Sequence, residues 1–205
     1  CLHYFGYPIT PQTEVAHYMA KKLPKVGGVF LQAESEVAAI NMVYGAGSTG
    51  TRVLTSSSSP GISLKQEGLS YIAGSQVPAV VVNIVRGGPG LGGIQPAQSD
   101  YFQATRGGGH GDYRQIVLAP SSVQELYELT VEAFNLSDRY RMVTMILGDG
   151  ILGQMMEVVE FRDSEPIERQ ETPWATVGHG FEREQNIITS IHLSPAVLEK
   201  MNQNL

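Results

Sequence analysis

Glu36 stands where one kind of sequence gives way to another. Before it, Gly28-Val29-Phe30-Leu31-Gln32-Ala33 reads as a buried strand; after it, Val37-Ala38-Ala39-Ile40-Asn41-Met42-Val43-Tyr44-Gly45-Ala46-Gly47 reads as a tightly packed helix. A carboxylate in the first turn of a helix is favoured by the macrodipole by roughly 0.3–1 kcal/mol. Glu34 and Glu36 both qualify as such decoration. The small residues behind Glu36, however, let another helix or a partner subunit approach closely, and that predicts a buried acid. Buried acids are usually paired or functional.

Three further clusters carry candidate chemistry. Arg86-Gly87-Gly88-Pro89-Gly90-Leu91-Gly92-Gly93 holds five glycines in eight residues. Such a loop is a flexible connector or a place where backbone meets a ligand, because glycine loses the most conformational freedom on ordering. Arg86 at its base could grip a carboxylate through two parallel hydrogen bonds or sit in a surface ion pair, and spacing does not separate the two. Gly45-Ala46-Gly47-Ser48-Thr49-Gly50 matches the dinucleotide fingerprint, but a helix precedes it and a strand follows, the reverse of what that site requires. It is read as a helix stop and turn. Gly109-His110-Gly111-Asp112 offers one His and one Asp, too few for a metal site.

The elements that must position these residues alternate. Strands are expected at 28–33, 52–57, 79–85, 115–120 and 143–148, with the end of another at His3–Tyr7. Helices are expected at 11–22, 36–47, 61–75, 97–104 and 121–136, the last capped by Ser121 or Ser122. Ala79–Val85 and Val143–Gly148 are nearly continuous hydrophobes, as in strands covered on both faces. The fold class is therefore α/β, an open and mostly parallel sheet with helices on both faces. Residues 1–149 form the domain. Residues 150–205, with Pro166, Pro173, Pro195 and many charges, are expected to be an extended tail with one short helix from Ser194. In such a sheet ligands sit beyond the carboxyl ends of the strands, where the Pro8–Pro11, Glu34–Glu36, Ser56–Gly61 and 86–93 segments fall.

With 205 residues, 42% hydrophobic, and a net charge of -6, the chain can bury a real core and shows no basic nucleic-acid surface. No apolar run is long enough for a membrane span. Cys1 alone builds neither a disulfide framework nor an iron–sulfur cluster. The chain starts without Met inside a strand-like segment and is expected to be part of a longer polypeptide working in a reducing cytoplasm.

Tyr7-Pro8-Ile9-Thr10-Pro11, Ala33-Glu34-Ser35-Glu36-Val37-Ala38-Ala39-Ile40, Thr55-Ser56-Ser57-Ser58-Ser59-Pro60-Gly61, Arg86-Gly87-Gly88-Pro89 and Gly109-His110-Gly111-Asp112 occur in that order. This set resembles the alpha subunit of 2-oxoacid:ferredoxin oxidoreductases, thiamine-diphosphate enzymes, and within them the 2-oxoisovalerate (3-methyl-2-oxobutanoate) branch. The resemblance covers residues 1 to about 175. It implies the pyrimidine-binding domain of an oxidoreductase that decarboxylates a 2-oxoacid to an acyl-CoA and passes electrons to ferredoxin. Glu36 would be catalytic, bonding N1′ of the cofactor's aminopyrimidine. Thr10 and Arg86 would bind substrate, Arg86 through the carboxylate. Pro8, Ile9, Ser58, Pro60 and Gly61 would line the pyrimidine pocket with Glu36.

The Ser56–Ser59 run departs from the family's common Thr-Ser-Gly-Pro-Gly form. The magnesium–diphosphate motif is missing as a unit: Gly148-Asp149-Gly150 is read as a strand exit, and Asn186 lies too far along. Diphosphate and Mg2+ are therefore expected on a beta subunit. Iron–sulfur clusters and the coenzyme A site are expected on other chains, gamma and ferredoxin-like subunits among them. Two other readings stay open: a Rossmann-like nucleotide-binding domain using the 86–93 loop on phosphate, and a catalytically silent structural subunit of the same fold.

Overall fold

The computed structural model describes residues 1–162 and 171–205; Pro166 lies outside them. Six strands form one wholly parallel sheet: β1 (His3–Gly6), β2 (Val29–Gln32), β3 (Val53–Ser57), β4 (Ala79–Val85), β5 (Ile116–Leu118) and β6 (Val143–Asp149). Their order is β2-β1-β3-β4-β6-β5. Parallel strands need crossovers, and the helices supply them: α1 (Thr13–Lys22), α2 (Glu36–Ser48), α3 (Ser59–Gly74), α4 (Tyr101–Thr105) and α5 (Val123–Tyr140), followed by α6 (Gly150–Gln154) and α7 (Pro195–Asn204).

β4 lies in the middle of the sheet and is buried along its whole length, which accounts for its apolar sequence, broken only by Asn83. Its side chains divide between two cores. Val81 packs with Ile40 and Val43 of α2 and Ile62, Leu69 and Ile72 of α3. Val80, Val82 and Ile84 pack with Ala16 of α1 and with Ala133 and Phe134 of α5. Helices therefore cover both faces. α2 and α3 come close because Gly68 has no side chain: a Cβ there would collide with Ile40 Cγ2.

Helix starts follow local chemistry. Ser35 caps α2 by accepting from the Ala38 N–H at 3.1 Å. Ser122 caps α5 by accepting from the Glu125 N–H, and the Glu125 carboxylate accepts from the N–H of Ser121, the residue before the cap, at 2.7 Å. Several boundaries differ from expectation. α3 begins at Ser59, because Pro60 suits the first turn of a helix, and α5 runs on to Tyr140, where Arg141 turns left-handed at φ 51°. α4 is confined to Tyr101–Thr105 and β5 to three residues.

Regular structure does not stop at Asp149, since α6 follows at once. Part of the segment beyond it packs against the domain at the end opposite the carboxyl rim. Ala175 is fully buried, the Thr176 N–H donates to the Ser48 carbonyl at 2.9 Å, and Trp174 lies under Arg141 with 4.4 Å from guanidinium to ring. α7 starts after Ser194 with Pro195 in its first turn.

Candidate active site

The chain steps outward from β1 to β2, then crosses back to place β3 on the other side of β1. That reversal opens a crevice at the carboxyl ends of β1 and β3, the usual ligand position in sheets of this kind. The exits of β1, β2, β3 and β4 bring Thr10, Glu36, the Ser57–Gly61 segment and Arg86 to this rim.

Glu36 is the first residue of α2 and only 6% exposed. Its side chain lies across Gly61: a Cβ on Gly61 would stand 2.7 Å from Glu36 Oε1 and 3.0 Å from its Cγ, and would collide with Ser57 Oγ. Among the described residues the Glu36 carboxylate has no hydrogen-bond partner. Ser57 and Ser58 Oγ are buried without partners. Native proteins rarely leave buried polar groups in this state unless a ligand or water completes them.

One turn along α3 from Gly61 is Lys65, fully buried. Its Nζ donates to Thr55 Oγ1 at 2.5 Å. Burial holds the ammonium down from 10.5 to about 7, and the Glu36 carboxylate works in the opposite direction. A polar chain runs beside it. The Tyr4 hydroxyl and Ser56 Oγ are 2.6 Å apart, Ser56 Oγ donates to the Gln12 side-chain carbonyl, and Gln12 Nε2 donates to the Tyr7 carbonyl at 3.1 Å. This chain ties β3 to the β1 exit. Burial pushes the Tyr4 phenol up, countered in part by Ser56.

Arg86 is 7% exposed and makes no ion pair among the described residues. Its Nη1 donates to the Thr10 carbonyl and its Nη2 to the Leu91 carbonyl, each at 3.0 Å, while Nε is buried without a partner. One N–H of each terminal nitrogen is thus committed to a backbone carbonyl, and a second N–H on each remains. The 86–93 loop is ordered by its own backbone: Gly87 N–H to Gln95 O at 2.8 Å and Gly93 N–H to Gly87 O at 2.9 Å. Gly92 sits at φ 59° with the Gly87 carbonyl where a Cβ would be, so only glycine fits there.

The rim gathers the sequence-derived residues unevenly. Glu36, Gly61 and Ser58 are buried together; Arg86 reaches Thr10 through the latter's backbone; Pro8 and Thr10 are exposed, and Ile9 and Pro60 half-buried. Gln12 and Lys65 are additions. Lys65 had a signal: it falls at the helical spacing of Ile62, Leu69 and Ile72, on the buried face of α3.

Asp149 is committed to structure, since its Oδ1 accepts from the Ile151 and Leu152 N–H groups that open α6. His110 and Asp112 stay apart from the rim: the His110 carbonyl accepts from Ser70 at 2.7 Å and its ring meets Tyr71 edge-on. A cleft of about 600 Å³ lies along the same side of the sheet, between the ends of β4, β5 and β6, lined by Val85, Tyr101, Leu147 and Leu152 among others. It contains none of the unpartnered groups around Glu36, and the chemistry follows those groups rather than the larger volume.

The rim fits an aminopyrimidine. Glu36 offers an unpartnered acceptor, Gly61 leaves room where a side chain would close the notch, and the Ser57 and Ser58 hydroxyls await partners.

The chain is similar to several known proteins. The family "Pyruvate flavodoxin/ferredoxin oxidoreductase, thiamine diP-bdg" matches residues 1–202. The ketoisovalerate oxidoreductase subunit VorB of Methanothermobacter thermautotrophicus is 54% identical over 202 residues, covering 98% of this chain and 57% of that protein. The 2-oxoglutarate synthase subunit KorA of the same organism is 48% identical over 176 residues, covering 84% of this chain and 46% of that protein. The 2-oxoglutarate:ferredoxin oxidoreductase of Magnetococcus marinus, solved with 2-oxoglutarate, coenzyme A and succinyl-CoA bound, superposes with a TM-score of 0.81 at 33% identity, covering 99% of this chain and 41% of that one. The chain thus spans about half the length of the curated relatives it matches. It belongs to the thiamine-diphosphate-binding family of the pyruvate flavodoxin/ferredoxin oxidoreductases.

Proposed function

We propose that the chain supplies the pyrimidine-binding half of the active site of a 2-oxoacid:ferredoxin oxidoreductase that converts a branched 2-oxoacid, 2-oxoisovalerate, with coenzyme A into an acyl-CoA and carbon dioxide. The two electrons released pass singly to ferredoxin. The observation that carries this reading is the unpartnered Glu36 carboxylate, buried across Gly61 at the topological reversal of the sheet. A nucleotide-binding alternative based on the 86–93 loop loses ground because that loop's N–H groups at Gly87 and Gly93 are already bonded to its own carbonyls.

Thiamine diphosphate, when bound, supplies the nucleophilic carbon and the electron sink for decarboxylation. The chain's own residues then divide the work. Glu36 shares a proton with the pyrimidine N1′. Pro8, Ile9, Ser58, Pro60 and Gly61 line the pyrimidine, and the Ser58 hydroxyl has no competing partner. Arg86 meets the substrate carboxylate, steadied by its hold on the Thr10 and Leu91 carbonyls; Thr10 stands beside it.

Diphosphate and Mg2+ belong to a beta subunit in this account. Iron–sulfur clusters and coenzyme A belong to further chains, gamma and ferredoxin-like subunits among them, in a reducing cytoplasm. Among the described residues no helix is long and apolar enough to cross a membrane, and no group of three or more His, Cys, Asp or Glu side chains could hold a metal.

Substrate choice rests on the 54% identity to a ketoisovalerate oxidoreductase subunit against 48% to a 2-oxoglutarate synthase subunit. The test is ferredoxin reduction by the reconstituted complex with each oxoacid. A preference for 2-oxoisovalerate is expected; faster turnover of 2-oxoglutarate would overturn the substrate, and turnover of neither would overturn the reaction.

A further inference from the structure

We propose that Gln12 is a positioning residue for Arg86: its buried side chain fastens the 7–12 turn to β3, and that turn presents the Thr10 carbonyl on which the guanidinium rests. The inference rests on Arg86 being the group that meets the substrate carboxylate and adds to it the support behind the arginine.

Every link is a direct contact. Arg86 Nη1 donates to the Thr10 carbonyl at 3.0 Å. Thr10 lies in a turn that Gln12 holds at two points: its backbone N–H donates to the Ile9 carbonyl at 3.0 Å, and its Nε2 donates to the Tyr7 carbonyl at 3.1 Å. The other end of the same amide, Oε1, accepts from Ser56 Oγ of β3. A backbone carbonyl only accepts, so the amide nitrogen faces Tyr7 and the amide oxygen faces Ser56. Ser56 thus spends its proton on Gln12, and the Tyr4 hydroxyl, 2.6 Å away, is the donor to Ser56. The bonds run one way, from Tyr4 through Ser56 and Gln12 to the turn. Tyr4 is itself fixed. It is fully buried, its ring stacks on Phe30 of β2 with centroids 5.5 Å apart, and a Cβ on Gly6 would stand 2.6 Å from its hydroxyl oxygen, so Gly6 leaves the room it fills.

Helix α1 does not account for this glutamine. Gln12 occupies the N-cap of α1, where Ser, Thr, Asp or Asn would bond the first-turn N–H groups, yet its side chain makes no capping bond. The amide is turned to β3 and the turn instead, where both of its ends are paired although the residue is buried. A buried polar network with its members satisfied rigidifies what it joins. Arg86 needs such a reference. Of the two carbonyls it grips, that of Leu91 belongs to its own loop, and only that of Thr10 ties it to the β1 side of the crevice.

The test uses the reconstituted complex with Gln12→Met, an unbranched replacement of similar length, alone and combined with Arg86→Ala. Ser56→Ala removes only the far anchor. Oxoacid KM and kcat are measured by steady-state kinetics and thiamine diphosphate affinity by calorimetry. Gln12→Met should raise KM about 3- to 10-fold, the equivalent of one neutral hydrogen bond, while kcat and cofactor affinity stay within about twofold. Ser56→Ala should move KM in the same direction by less. With Arg86 already replaced, Gln12→Met should raise KM by less than about twofold, because its route to the substrate is gone.

An unchanged KM overturns the proposal. So does a loss spread evenly over KM, kcat and cofactor affinity, which a loosened fold would give, and so does the same rise in KM with and without Arg86. Should Gln12→Met not assemble, Ser56→Ala carries the same cycle. If Arg86→Ala raises KM while Gln12→Met is silent, the support role falls and Arg86 stands; if Arg86→Ala leaves KM unaltered, the reading of Arg86 itself falls.

Discussion

Lys65→Met should make the fold more stable at neutral pH, which is unusual for a substitution deep in a core. The unfolded lysine takes its proton with an ordinary value of 10.5, and the folded one is held down to about 7 by burial. The folded state therefore binds fewer protons than the unfolded state between these values, so stability rises with pH across the window. The cost of the buried ammonium is fully present below about pH 7 and disappears as pH rises to 10.5. The difference of about 3.5 units, at 1.36 kcal/mol each, corresponds to roughly 5 kcal/mol below the folded value and roughly 4 kcal/mol at pH 7. Stranding the Thr55 hydroxyl returns about 1 kcal/mol of that, leaving a net gain of roughly 3 kcal/mol. The assay is urea unfolding of the full-length subunit followed by far-ultraviolet circular dichroism from pH 6 to pH 10. The two proteins should converge toward pH 10. A variant less stable than wild type by the same amount at every pH would refute the reasoning, because it would show that Lys65 packs as an uncharged side chain throughout.

Two other substitutions test the rim. Gly61→Ala places a Cβ 2.7 Å from Glu36 Oε1; overpacking of this kind costs about 1–3 kcal/mol, and thiamine diphosphate affinity of the complex should fall about 5- to 140-fold where that cost is set against binding at 1.4 kcal/mol per decade. Unchanged affinity in calorimetry would place the pyrimidine elsewhere. In Arg86→Lys the donors all radiate from one nitrogen and cannot reproduce the spread fork that meets the Thr10 and Leu91 carbonyls from two separate nitrogens. The KM for the oxoacid should rise about tenfold or more, the equivalent of one charge-assisted hydrogen bond, with cofactor affinity little changed; an unaltered KM in steady-state kinetics would remove Arg86 from the substrate.

Much of this architecture is legible in the chain because it is written locally. The nearly continuous apolar run Ala79–Val85 reads as a strand covered on both sides, and Ser122, one of the two caps read for α5, does cap it. The reversed order of helix and strand around Gly45–Gly50 is equally local, and α2 does end there at Ser48. What escaped depends on partners far along the chain. The fork of Arg86 meets two backbone carbonyls, which no residue type advertises. Lys65 falls on the buried face of α3 by its spacing, but its partner Thr55 comes from β3. The polar chain from Tyr4 through Ser56 to Gln12 joins residues up to 52 positions apart. The packing of Trp174 and Ala175 against the far end of the sheet has no periodicity to betray it.

The central claim is that Glu36 holds and moves the proton that readies the cofactor. Hydrogen–deuterium exchange at the thiazolium C2 of thiamine diphosphate, followed by acid quench and NMR, measures this in the assembled complex without requiring turnover. Glu36→Gln should bind the cofactor and slow the exchange by roughly 100-fold or more, the usual contribution of a positioned acid–base group. Exchange at the wild-type rate with the cofactor fully bound would contradict the account.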